Sequence, residues 1–287
     1  EQETNDDREH AGELAAITAM ESQGKPNTVQ SLAVQLCTLG VSKGQTLLVH
    51  SSLRALGWTC GGAQGVIMGL LEAVGPQGTI AMPAHSGDYS DPAFWENPPV
   101  PVAWHEYIRG TMPAWRADLS PTRGIGTIPE VFRSMAGVKR SEHPLASFSA
   151  FGPQAAYVTD RHKLDYDLGD GSPLARLYDL DAGILMLGTG YDTCTSLHLA
   201  EHRASWAGKS LIRQGAALMK DGKRQWVRFD CADTDTDDFA ACGAAFELER
   251  PEAFVRAKVG VADCRLVAIR ALVDYAAGWF ACHRTST

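Results

Sequence analysis

Two short apolar runs, 46-TLLVH-50 and 78-GTIAM-82, flank a segment that opens at Gly61-Gly62, runs to Val74 and closes at Gly75-Pro76. The outer runs have the length of buried strands, and the middle one reads as a helix between glycine punctuation marks. A strand–helix–strand order of this kind predicts neighbouring parallel strands. That places the chain in the α/β class. Its 287 residues suffice for one large core or two small ones.

The alternation continues along the chain. Thr28 is positioned to cap a helix ending at Gly40, and 127-TIPEVFRSM-135 and 172-SPLARLYDL-180 read as further helices. Strands are expected at 145-LASFSAF-151 and 183-GILMLG-188. Within 210–230 an Asp-Gly pair separates two strand-like runs, the mark of a hairpin. Residues 252–280 mix helix and strand. The segment 83–126 is long, irregular and rich in Pro, Trp and Asp, which favours an ordered binding loop. The first residues are polar, with a helical patch at 11-AGELAAITAM-20, so 1–27 is expected to be a helical extension and 28–287 a single domain.

Net charge is −8, which argues against a nucleic-acid partner and suits a cationic ligand. Seven scattered cysteines with no C-x-x-C pair suggest neither a disulfide framework nor a cysteine zinc knuckle. A reducing cytoplasm is the simplest reading of them. No apolar run approaches the roughly 18 residues of a membrane span, so no membrane partner is expected.

The stretch 193-TCTSLHLAEHRASW-206 carries the candidate chemistry. His198, Glu201 and His202 spell H-x-x-E-H and share one face of a helix. One reading is a zinc site, with both histidines as ligands and the glutamate as base. A second is a solvated helix face. A third is acid–base chemistry by His198 with a carboxylate behind it. The motif follows the end of a buried strand, where α/β proteins place ligands, and this argues against the solvated face. Cys194 lies one turn before His198 and reads either as a thiol nucleophile or as inert packing.

Longer stretches carry a further signal: 48-LVHSSLRALG-57, 95-WENPPVPVAWHEYIR-109, 119-LSPTRGIGTIPEVFR-133, 139-KRSEHPLASFSAFG-152, 171-GSPLARLYDLD-181 and 192-DTCTSLHLAEHRA-204. With them the chain resembles the aminoglycoside 3-N-acetyltransferase family, from about Val29 to at least Leu248. The resemblance implies acetyl transfer from acetyl-CoA to the 3-amino group of a 2-deoxystreptamine aminoglycoside, giving antibiotic resistance. It implies a layered α/β/α fold with a central mixed sheet, distinct from the common acetyl-CoA-dependent N-acetyltransferase fold. The signature R-x-x-G-x-[GA] of that common fold is approached by 123-RGIGTI-128 and broken at Ile128.

The same resemblance makes His198 the catalytic histidine and draws its acidic partner from 229-FDCADTDTDDF-239. Asp233 is favoured, with Asp230 and Glu201 as alternatives, because Cys231 stands where other members often carry glutamate. Members often carry Asn at the position of Cys194, which supports its inert reading. Direct transfer with His198 as general base follows, and no metal is required. For CoA the candidates are Ser51, Ser52 and Arg54, then Gly126 and Thr127 at a helix start, then Arg140, His143 and Ser147. For the polycationic acceptor they are Asp88, Glu106, Asp170, Asp192 and Glu201, with Trp95 and Trp104 as a sugar wall. The two rival classes are a zinc hydrolase built on His198, Glu201 and His202, and a non-catalytic protein that binds cationic sugars.

Overall fold

The computed structural model describes residues 5–22, 24–233 and 235–284, with side chains from residue 12 onward. In chain order the elements are α1 (Asn5–Glu21), α2 (Val29–Leu39), β1 (Thr46–Ser51), α3 (Gly62–Val74), β2 (Thr79–Pro83), α4 (His105–Thr111) and α5 (Thr127–Arg133). Then come β3 (Lys139–Arg140), β4 (Phe148–Phe151), α6 (Ala155–Thr159), α7 (Pro173–Asp179), β5 (Gly183–Leu187) and α8 (Ser196–Arg203). The chain continues through β6 (Ser210–Lys220), β7 (Lys223–Asp233), α9 (Phe239–Glu249), β8 (Phe254–Val259), β9 (Ala262–Ala268) and α10 (Ile269–His283).

The parallel pair expected from the first strand–helix–strand unit is present, with Leu47 opposite Ile80 and Leu48 opposite Ala81. β5 joins β1 on its other side, also parallel. The remaining neighbours are antiparallel and complete a seven-stranded mixed sheet in the order β3-β4-β2-β1-β5-β9-β8. Strand periodicity sends alternate residues to opposite faces. Leu47, Val49, Leu185 and Leu187 pack with α2, α3 and α5. Leu48, Ile184 and Met186 pack with α6 to α10. The result is the layered α/β/α architecture, with a hydrophobic core on each side of the sheet.

Local chemistry accounts for the boundaries. The Thr28 side chain accepts from the Ser31 amide while the Thr28 amide donates to Ser31 Oγ, and Gly40 ends α2 in the left-handed region at φ 114°. Ser172 caps α7 through the Leu174 amide, and Pro173 opens it. Asp221 and Gly222 both have positive φ and turn the β6–β7 hairpin. The expected strand at 145–151 is regular only from Phe148; before it the Leu145 and Ala146 amides turn to the buried His143 ring, while Leu145 O and Ser147 O still accept from the Ser86 and Ala84 amides.

The segment 83–126 is ordered by polar contacts. Asp91 is buried and gripped by Arg109 through two carboxylate oxygens, and the Trp115 amide donates to Ala217 O of β6. Among the described residues no helix is long and apolar enough to cross a membrane.

Candidate active site

β2, β1 and β5 lie side by side and parallel, so their carboxyl ends open on one edge of the sheet. A cleft of about 550 Å³ sits there. Its walls are Ser51, Ser52 and Arg54 after β1, His85 after β2, and Thr189, Asp192 and Thr195 after β5, with 124–127 and His198 closing it. Gly188 makes the turn out of β5 at φ 69°; a Cβ there would stand 2.6 Å from that of Ala55. Two-residue periodicity puts His50 on the Leu48 face of β1, the face that α8 covers. Its Nε2 is 3.5 Å from Thr195 Oγ1.

α8 buries Leu197, Ala200 and Glu201 against the core and turns His198 to the cleft. His198 Nδ1 is 2.5 Å from Glu201 Oε2. Glu201 is fully buried, and its other oxygen, Oε1, accepts from Arg284 just beyond α10. Arg284 in turn grips Asp238 ahead of α9, at 2.6 Å and 2.8 Å. Lys209 donates to the carbonyls of Glu201, His202 and Ala204, each at 2.8 Å, and so caps the end of α8. The Phe239 ring packs 4.9 Å from that of His198. With a carboxylate on Nδ1, that nitrogen carries the hydrogen, and Nε2 is the nitrogen left for a ligand.

Burial sets the protonation of the neighbouring groups. It lowers His50 to about 4. Burial, reinforced by the charges of His198, His50, His143 and Arg140, lowers His85 to about 3. Both rings are therefore neutral near pH 7. Burial also pushes the Cys194 thiol up to about 12, which leaves it protonated and a poor nucleophile. Ser51 Oγ, His85 Nε2 and Thr189 Oγ1 are buried at the cleft with no hydrogen-bond partner among the described residues.

A paired histidine at a cleft edged by unpartnered hydroxyls suits acyl or proton transfer, and the comparisons with known proteins agree. Residues 48–281 match the family model for aminoglycoside 3-N-acetyltransferase. The chain belongs to the aminoglycoside 3-N-acetyltransferase family. It is 43% identical over 262 residues to the prophage-derived aminoglycoside N(3')-acetyltransferase-like protein YokD of Bacillus subtilis, covering 91% of this chain and 95% of the relative. The crystal structure of YokD superposes with a TM-score of 0.88 over 92% of this chain and 96% of that one. A family member called AAC-IIIb, solved as a binary complex with CoASH, is 31% identical with a TM-score of 0.80, over 92% and 99% of the two chains. AAC-VIa bound to sisomicin gives the same identity and TM-score, over 91% and 100%. As a member of this family, the chain is an acyltransferase.

Within this acetyltransferase frame the residues named from sequence divide sharply. Ser51, Ser52, Arg54, Gly126, Thr127, Asp192 and His198 line one cleft. Asp233 does not reach His198: it is exposed at the end of β7 and accepts from Ser210 Oγ across the hairpin. Asp230 pairs with Arg213 on the same hairpin. The carboxylate on the imidazole is Glu201, an alternative to the favoured Asp233 and also a candidate for the acceptor. It is buried instead because α8 lays that face against α10, and both of its oxygens are occupied.

Arg140, His143 and Ser147 are not cleft residues. Arg140 donates to the carbonyls of Ala84, Ala117 and Ser120, and His143 and Ser147 are fully buried. Asp88, Glu106 and Asp170 lie outside the cleft, paired with Arg123, Arg109 and Arg203. Trp95 and Trp104 do not line it either. His202 Nε2 lies 4.0 Å from Asp167, and among the described residues no three His, Cys, Asp or Glu side chains converge as a metal site.

Sequence reasoning missed His50, His85, Thr189, Asp238 and Arg284. His50 and His85 were open to strand periodicity and position, since they end or follow strands already identified. Arg284 carried no local signal.

Proposed function

We propose that this chain transfers the acetyl group of acetyl-CoA to the 3-amino group of a 2-deoxystreptamine aminoglycoside, with His198 as general base. The observation that carries the reading is His198 itself, with Nδ1 on the buried Glu201 carboxylate and the ring exposed to the cleft. Solved relatives in complex with CoASH and with sisomicin support the two substrates. Ser51, Ser52, Arg54, Gly126 and Thr127 hold CoA, and Asp192 draws an ammonium group of the acceptor. The catalytic unit is residues 28–287, with 1–27 as an extension. Acetylation of this kind would protect a cell from the drug.

An ammonium has no lone pair, so a proton must leave the acceptor before it reacts. One proton leaves to solvent and gives the free amine; as its nitrogen attacks the thioester carbon His198 Nε2 takes a second, which it can pass to the CoA thiolate, and Glu201 stabilises the intervening imidazolium. As the C–N bond forms, the carbonyl electron pair moves onto oxygen. Ser51 Oγ and Thr189 Oγ1, unpartnered at the cleft, are the side-chain donors suited to that oxyanion. Collapse breaks the C–S bond, and the CoA thiolate takes up a proton. Converting an ammonium to an amide releases one proton overall. The Cys194 thiol is fully buried and held protonated, which supports direct transfer without an acetylated cysteine.

The test is free-thiol release from acetyl-CoA with gentamicin as acceptor, comparing the protein with His198→Ala. Turnover falls about 10²–10⁴-fold in the variant while both substrates still bind. A variant with near-normal turnover would remove His198 from the reaction.

A further inference from the structure

We propose that Arg284 is a positioning residue that aims the Glu201 carboxylate at His198. The proposal rests on the reading of His198 as the base. Glu201 reaches His198 from one helical turn away, and the last torsion of a glutamate is broad, so the helix alone does not fix the plane of the carboxylate. Arg284 supplies the missing constraint. Its Nη1 binds Oε1 of Glu201, which leaves Oε2 as the oxygen turned to Nδ1 of His198.

The guanidinium is itself held. Nε and Nη2 fork onto the two oxygens of Asp238, and the group packs over the Trp206 and Phe280 rings at 5.0 Å and 4.3 Å. A planar fork fixed on one side has a single direction left for Nη1, which a lysine would not reproduce. Burial works against the charge of Arg284, but the carboxylates of Asp238 and Glu201 outweigh it and keep the group protonated. A fully buried carboxylate needs such a partner, because a histidine acting as general base starts from its uncharged form and brings no charge to the other oxygen. The junction of α9 and α10 is thereby wired to the reacting histidine, from residues 83 positions apart in the chain.

An ordinary structural salt bridge would hold α10 against α8 without affecting the chemistry. A double-mutant cycle on kcat separates the two roles. Arg284→Met lowers kcat by about 10–100-fold, the range for groups that orient a reacting side chain, with both KM values held within about threefold. Arg284→Lys recovers part of that loss. In a Glu201→Gln background the same Arg284→Met change costs less than about threefold, because the group it acts through is gone.

An unchanged kcat in Arg284→Met, or the same fold-loss in both backgrounds, would overturn the proposal. Thermal unfolding is followed in each variant; if Arg284→Met does not fold, Arg284→Lys takes its place in the cycle and the same comparison decides. Neither outcome touches the assignment of His198, which stands or falls on His198→Ala.

Discussion

Ser51, Ser52 and Arg54 form one cluster of polar residues beside the parallel strands; Arg140, His143 and Ser147 form another, two strands away. Both look alike in sequence, a serine or two with an arginine and, in the second, a histidine, and both match family stretches. In the second cluster every group is spoken for. Arg140 donates to Ser147 Oγ at 3.0 Å, Ser120 O at 2.6 Å, Ala84 O at 2.7 Å and Ser86 Oγ at 2.6 Å, and packs over Trp115. His143 Nδ1 accepts from two amides. In the first cluster Ser51 Oγ, with Thr189 Oγ1 and His85 Nε2 at the same cleft, is buried without a partner among the described residues. Buried polar groups are nearly always paired, so a saturated network serves the fold; unpaired groups also occur elsewhere, Ser149 Oγ on β4 among them, but those at the cleft are placed to meet a ligand.

The comparison breaks most visibly at Arg140. Arg140→Met strands several buried carbonyls and hydroxyls, and should lower unfolding stability by about 3–5 kcal/mol, measured by chemical denaturation. The fraction that folds should keep its KM for acetyl-CoA. A stable protein with a raised acetyl-CoA KM would move Arg140 into the binding site.

Next in size is the pH dependence of stability, which both regions share. Burial lowers His50 to about 4, His85 to about 3, and His143 and His162 below the usual value of 6.5. Between the two limits the unfolded chain binds more protons than the folded one. The stability these rings confer is therefore complete above pH 6.5 and is lost as pH falls toward 4. His50 and His85 each contribute up to about 1.4 kcal/mol per pH unit in that window, and His143 and His162 act in the same direction. Denaturation curves at pH 7.5, 6 and 5 should show the fall, and a flat profile would mean these histidines titrate normally in the folded protein.

The smallest effect is expected at Ser51. Ser51→Ala should lower kcat about 10-fold, worth one hydrogen bond to the developing oxyanion, and leave stability unchanged or slightly raised. Loss of stability with unchanged kcat would place Ser51 with the structural cluster.

Much of the fold was legible because its signals are local. The first strand–helix–strand unit, the Ser172 cap and the Asp-Gly hairpin each rest on residues within a few positions of one another. The antiparallel edge formed by β9 and β8 was not, since it depends on pairing to β5, with Gly183 opposite Ala268 and α8, β6, β7, α9 and β8 between them in the chain. The site divided in the same way. His198 and the lining at 51–54 and 126–127 follow from strand ends and helix starts. Asp233 was preferred to Glu201 as the partner of His198 because burial of Glu201 is a property of α8 docking on α10, and no rule of spacing reports it. Arg140 was misread because the carbonyls it binds come from loops at 84, 117 and 120, whose convergence exists only after folding.

The central claim is that Glu201, held by the fold, and not a carboxylate of the β7 region, completes the acid–base pair with His198. Its most direct test is kcat for Glu201→Gln beside Asp233→Asn, with saturating acetyl-CoA and gentamicin near neutral pH. Glu201→Gln should lose about 10²–10⁴-fold, as when a buried carboxylate behind a catalytic histidine is neutralised. Asp233→Asn, a surface change, should stay within about twofold of the unaltered protein. A large loss in Asp233→Asn with near-normal turnover in Glu201→Gln would contradict the account.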